Sequence, residues 1–230
     1  MVVPLSVALV TILLLTIFAI TRPPAWEEEL SCNWRRINLQ AFVIAILIGV
    51  FAIYLYKGLP TLPLTAVAVS TSVVTFALIQ SVYTDLKLHL VDRRMLYLAT
   101  LPPLFLHAKT LIENNDSLTA NNWVIVILIT GVLIFLPGVM GPSDGRALLL
   151  VAVAAYPIVG FKWFLMGLIF FIFSALIFGF VKTVRQGLPE DESKGKGFLR
   201  RLSFRTRIPA VPFILAPFIV TILLASKIAL

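Results

Sequence analysis

Long apolar runs, each close to the length of a bilayer crossing, alternate with short polar stretches along the whole chain. A membrane-spanning helix needs about 20 predominantly apolar residues in a row. Val2–Ile20, Leu39–Tyr56, Leu62–Thr84, Trp123–Met140, Trp163–Val181 and Ile208–Ala225 meet that requirement. Two weaker runs join them. Met95–His107 is interrupted by Pro102 and Pro103, and Ala147–Val159 is short but apolar apart from Tyr156. Such spans are tolerated where neighbouring helices or a water-filled cavity satisfy the freed backbone groups. The pattern predicts an all-α polytopic membrane protein with about eight transmembrane helices.

Composition agrees: 60% of the 230 residues are hydrophobic and only 13% are charged. Runs of this length exclude a water-soluble fold. Val2–Ile20 lacks the charged leading segment of a cleaved signal peptide, so it is expected to be retained as a span. The one cysteine, Cys32, excludes a disulfide framework and a cysteine zinc site. The two histidines, His89 and His107, fall on opposite sides of the expected topology, which argues against a shared metal.

The formal charge of +8 first suggests nucleic acid, but the placement of the basic residues accounts for it otherwise. With eight spans, Arg22, Arg35, Arg36, Lys87, Arg93, Arg94, Arg146, Lys182, Arg185, Lys194, Lys196, Arg200, Arg201, Arg205 and Arg207 share one side. Lys57, Lys109, Lys162 and Lys227 share the other. Basic residues concentrate in cytoplasmic loops, so the first side is predicted to be cytoplasmic and both termini external, in a multi-pass cell-membrane protein. No nucleic-acid partner is expected; the lipid bilayer is. The largest polar segment, Lys182–Arg207, reads as a cytoplasmic loop too short and too polar to build a core.

Most of the eleven acidic residues sit in loops. Asp85 and Asp144 instead lie against span ends, on the predicted cytoplasmic side. An ionisable group at the centre of a membrane helix costs about 2.5–3.5 kcal/mol on insertion scales, which makes it a candidate functional group. At a membrane boundary the cost is smaller, and capping or solvating a helix end is an equally good reading from topology alone.

The surrounding residues favour chemistry. Asp85-Leu86-Lys87-Leu88-His89-Leu90-Val91-Asp92-Arg93 resembles the first aspartate motif of type IV prepilin peptidases and archaeal preflagellin peptidases, in which a basic residue follows two positions after the aspartate. Gly141-Pro142-Ser143-Asp144-Gly145-Arg146 is similar to their second, GxGD-type motif. Ser143 replaces the usual glycine or small apolar residue before the aspartate. The resemblance covers roughly Leu62 to the C-terminus and implies a six-helix peptidase domain at 61–230, with residues 1–60 adding two N-terminal helices. It implies Asp85 and Asp144 as the catalytic pair of an aspartyl endopeptidase, supported by Lys87, Gly141, Ser143, Gly145 and Arg146. The implied substrate is a pilin- or flagellin-type precursor, cut between a basic cytoplasmic leader and a membrane helix. No cofactor is implied, and the cysteines that accompany methyltransferase activity in bacterial relatives are missing from the chain.

In such a pair the carboxylates share a proton; one activates water and the other protonates the carbonyl oxygen. On helix-end polarity alone, Asp144 at a helix start is expected to rest as the base and Asp85 at a helix end as the acid. Asp92 or Glu190-Asp191-Glu192 could recruit a basic leader, although solvated loop charges are the commoner reading. Pro209-Ala210-Val211-Pro212 is expected to lie near the site, or to be an ordinary helix start. Two other readings predict different features. A presenilin-type protease would carry its first aspartate mid-span and a glycine before the second. A transporter using the aspartates as proton or cation sites would show symmetry between halves, and none is visible in the hydropathy.

Overall fold

In the computed structural model, the described residues are 2–24, 26, 33–57, 63–88, 90–114, 124, 125, 128, 131, 142–186 and 211–228. Six helices run through them: α1 (Val2–Thr21), α2 (Trp34–Tyr56), α3 (Leu64–Leu88), α4 (Arg93–Asn114), α5 (Pro142–Gln186) and α6 (Val211–Ile228). Trp34 begins α2 because Asn33 caps it, its side chain accepting from the Arg35 amide at 2.9 Å. Asp92 does the same for α4, accepting from the Arg94 amide at 3.0 Å.

α5 is a helical hairpin. Leu148 and Phe171 would lie about 35 Å apart on a straight helix, yet both line one groove beside α6. The chain turns at Gly160, whose φ of 76° and ψ of 166° break the helix. Only glycine adopts that backbone without strain, and the space around it is open, so conformation and not crowding requires the residue.

One end of the bundle is tied by four bonds between helix termini. Trp34 Nε1 donates to the Ala19 carbonyl at 2.8 Å, and an Arg94 guanidinium nitrogen donates to the Arg22 carbonyl at 3.2 Å. Arg146 Nε donates to the Tyr97 hydroxyl at 2.6 Å, and the Val211 amide donates to Asp85 at 3.1 Å. This end therefore gathers the finish of α1 and α3 with the start of α2, α4, α5 and α6. At the other end, Ser70 Oγ and His107 Nε2 lie 3.1 Å apart, and the Tyr56 hydroxyl donates to the Ile222 carbonyl at 3.0 Å.

α3 forms the axis. It packs against α1, α2, α4, α5 and α6, and it is buried nearly all round. Its run Ser70-Thr71-Ser72-Val73-Val74-Thr75 is small enough to admit neighbours on every side. The Thr71 hydroxyl returns to its own helix, Oγ1 donating to the Val67 carbonyl at 2.7 Å, so it needs no outside partner. At the α2 crossing the backbones come close enough that a Cβ on Gly49 would fall 2.0 Å from Ser72 Oγ. Close approach through small residues is how helices associate in lipid, where burial of apolar surface gives no net drive. One continuous apolar core runs from Ala8 in α1 to Ile222 in α6.

The outer surface is apolar. Leu14, Leu47, Phe105 and Phe173 are each at least 60% exposed, on four different helices. A belt of this kind is far larger than the patches a soluble monomer exposes, and it identifies a helical membrane protein.

The expected count of eight spans is not reached among the described residues. Three helices, α1, α2 and α3, are long and apolar enough to cross a bilayer by themselves. Shorter apolar helices cover Gly145–Tyr156, Phe164–Ser174 and Val211–Ile222. The expected span Met95–His107 lies within α4, whose ends carry Arg93, Arg94 and Lys109 and so dilute its apolar character. The expected span Trp123–Met140 falls outside the described residues except at Val124, Ile125, Leu128 and Gly131.

Candidate functional site

Asp85 does not end α3; the helix continues to Leu88, which sets the carboxylate inside the last turn. It is 5% exposed, and its Oδ2 accepts from the backbone N–H of Val211, the first residue of α6. The early amides of any helix have no partner within it, and together they present partial positive charge. Pro212 has no N–H, so Val211 supplies the leading donor of α6 and Asp85 takes it. Helix-end polarity had assigned Asp85 to the negative end of α3 alone. With the positive end of α6 against the same carboxylate, that basis for separating acid from base is gone.

Asp144 lies in the first turn of α5, after Pro142 and Ser143; the side chains of Asp144 and Ser143 and the whole of Gly141 lie outside the described residues. The backbone around it is held by its neighbours. Gly145 is buried, and Arg146 bonds the Tyr97 hydroxyl while its guanidinium stands 5.3 Å from the centre of the same ring. Tyr97 is one turn into α4, and α4 begins five residues after α3 ends. The contacts thus bring the starts of α5 and α6 and the last turn of α3 to one end of the bundle. Lys87 is exposed there. The basic residues Arg22, Arg35, Arg36, Arg93 and Arg94 line the same end, whereas Lys57, Lys109 and Lys162 fall at the other.

Helical register strengthens the convergence. Positions 144, 148, 151 and 155 form one stripe along α5. Leu148, Val151 and Ala155 line a groove together with Ile214, Pro217 and Phe218 of α6 and residues of the second α5 limb. Leu148, Val151 and Ala155, which begin one turn after position 144, and the helix whose first amide holds Asp85 therefore bound the same space.

Asp92 departs from its reading as a loop charge. It is 7% exposed, caps α4 and pairs with Arg94 at 3.2 Å, so a structural duty occupies it. An aspartate directly before the start of a helix is an N-cap signature, and that signal was available in the sequence. Glu190-Asp191-Glu192 lie outside the described residues, as do His89, Pro209 and Ala210. The proline-flanked Val211 was expected near the site; its amide as the partner of Asp85 was not. His107 is 4% exposed and engages Ser70 and the backbone of Ala154, remote from Asp85. Among the described residues no group of three or more His, Cys, Asp or Glu side chains could hold a metal ion.

No known protein family, no curated protein and no solved structure matches the chain.

Proposed function

We propose that the chain is an intramembrane aspartyl endopeptidase that removes basic leaders from type IV prepilin- or preflagellin-like precursors at the cytoplasmic membrane face, using Asp85 and Asp144. The observation that carries this reading is the buried Asp85 carboxylate, held by the α6 N-terminus at the end of the bundle where the Asp144 turn begins α5. The two motifs resemble those of the peptidase family in residue type and order. The basic residues at this end make it the cytoplasmic one by the positive-inside rule. The proposed topology keeps eight crossings with external termini, on the distribution of the basic residues along the sequence.

In the proposed reaction one carboxylate takes a proton from water as its oxygen attacks the scissile carbonyl carbon. The other donates a proton to the carbonyl oxygen, giving a gem-diol. Collapse of that intermediate breaks the C–N bond, with the proton passed to the departing amine. The peptide must be extended at the cut, because a helical backbone keeps its carbonyls bonded and shielded.

Asparagine separates this chemistry from simple helix capping. Asp85→Asn keeps a side-chain oxygen to accept from Val211 but cannot exchange the proton. Co-expression with pilin, flagellin and pilin-like sugar-binding protein precursors, followed by the size shift on gels, should show cleavage by the wild type. Asp85→Asn and Asp144→Asn should each cut on the order of 10⁴-fold more slowly at normal folded yield. Undiminished cleavage by either variant would sink the proposal.

A further inference from the structure

Resting on that reading, we infer that the groove between the two limbs of α5 and α6 binds apolar side chains of the precursor on the membrane side of the cut bond. The groove is shallow and open on one side, with a volume of ≈ 30 Å³, so it suits single side chains laid along it and not an enclosed ligand. Its lining is apolar except for Thr221.

Its position selects the occupant. Leu148 lies one helical turn, about 6 Å, beyond position 144, and Ala155 lies about 16 Å beyond it. Ile214 is likewise one turn beyond Val211, whose amide holds Asp85, and Phe218 is two turns beyond. The groove therefore opens one turn inward from both aspartates and runs away from them. A peptide whose carbonyl is attacked between the aspartates advances about 3.3 Å per extended residue. Its second residue past the cut reaches the level of Leu148, and its fifth the level of Ala155. A lipid acyl chain has matching chemistry but no reason to start at the depth of the catalytic pair, so the groove is assigned to the precursor.

The experiment uses the full chain in membranes and a precursor that the wild type cuts, with its second and fifth residues past the cut varied among Ala, Leu and Trp. Leu148→Ala widens the mouth and should lower KM about tenfold for Trp over Ala at the second residue, with kcat little changed. Ala155→Leu narrows the deep end and should raise KM for Trp at the fifth residue by a similar factor. Selectivity unchanged in both variants, or changed at other residues, overturns the assignment. A second measurement survives misfolding of either variant: a photoreactive benzoylphenylalanine at position 151 of the Asp85→Asn chain should cross-link to residues two to five of the precursor. Cross-links to phospholipid alone assign the groove to an acyl chain and overturn the proposal. If the wild type cuts no precursor, the protease reading falls and this inference with it. If it cuts while the groove variants behave as the parent, only the groove assignment falls.

Discussion

α1 and α3 are both long apolar helices, yet 28% of the most apolar stretch of α1 is buried against 83% of that of α3. The more apolar helix lies outside, and the one richer in serine and threonine forms the axis. In water the order would be reversed. In lipid an isoleucine gains little by leaving the acyl chains, whereas small and hydroxylated residues gain by close packing and by hydrogen bonds made within the protein. Hydropathy therefore finds the spans, and polarity within a span finds the interior.

Substitutions at matched positions can break this contrast. The largest stability effect belongs to Ile12, fully buried on the inner face of α1. Ile12→Ala leaves a cavity and should cost about 2–4 kcal/mol in detergent unfolding. Leu14→Ala, on the outer face of the same helix and 62% exposed, should cost under about 0.5 kcal/mol. Equal costs at the two positions would mean that α1 is not oriented as described.

Next comes the α2–α3 crossing. Gly49→Ala drives its methyl group into Ser72 Oγ and should cost about 1–3 kcal/mol. Adding Ser72→Ala removes that oxygen and leaves its Cβ at 3.4 Å, an ordinary contact, so the double variant should recover most of the loss. A double-mutant cycle with no coupling would show that the two helices do not meet there.

The smallest effect is expected for the polar pair inside the bundle. Gln80 Nε2 donates to Asn38 Oδ1 at 2.8 Å, and both residues are at most 1% exposed. Gln80 Oε1, however, is buried without a hydrogen-bond partner among the described residues. Gln80→Leu relieves that unmet acceptor while stripping Asn38 of a donor, so the net cost should be only about 1 kcal/mol. Replacing both by leucine should come close to the wild type in the same unfolding assay.

The elements that hydropathy locates best are those the bilayer itself selects. Val2–Ile20 and Leu62–Thr84 lie within a few residues of α1 and α3, because chain length and apolarity decide them. α2 begins five residues before its apolar run, since Asn33 caps it and the Trp34 indole reaches Ala19, and neither device adds hydropathy. The break between Val159 and Trp163 was legible from Lys162 and the length limit, and Gly160 is where the chain turns. Which helix becomes the axis, and that Val211 meets Asp85 across 126 residues, depend on packing between distant segments. No local pattern encodes such a contact. Asp85 and Asp144 were singled out from sequence as span-edge carboxylates in recognisable motifs. Their shared end of the bundle follows from bonds made by neighbours such as Tyr97 and Arg146.

α6 is pinned at both ends, by Asp85 at its first amide and by the Tyr56 hydroxyl at Ile222. Until the ribosome has delivered those residues, the buried carboxylate has no α6 amide to bind and the tyrosine has no carbonyl to donate to. A chain still under synthesis therefore inserts its earlier helices around an incomplete centre. Arrival of α6 fastens the two faces of the bundle together, so that the site takes its form only once α6 has been made.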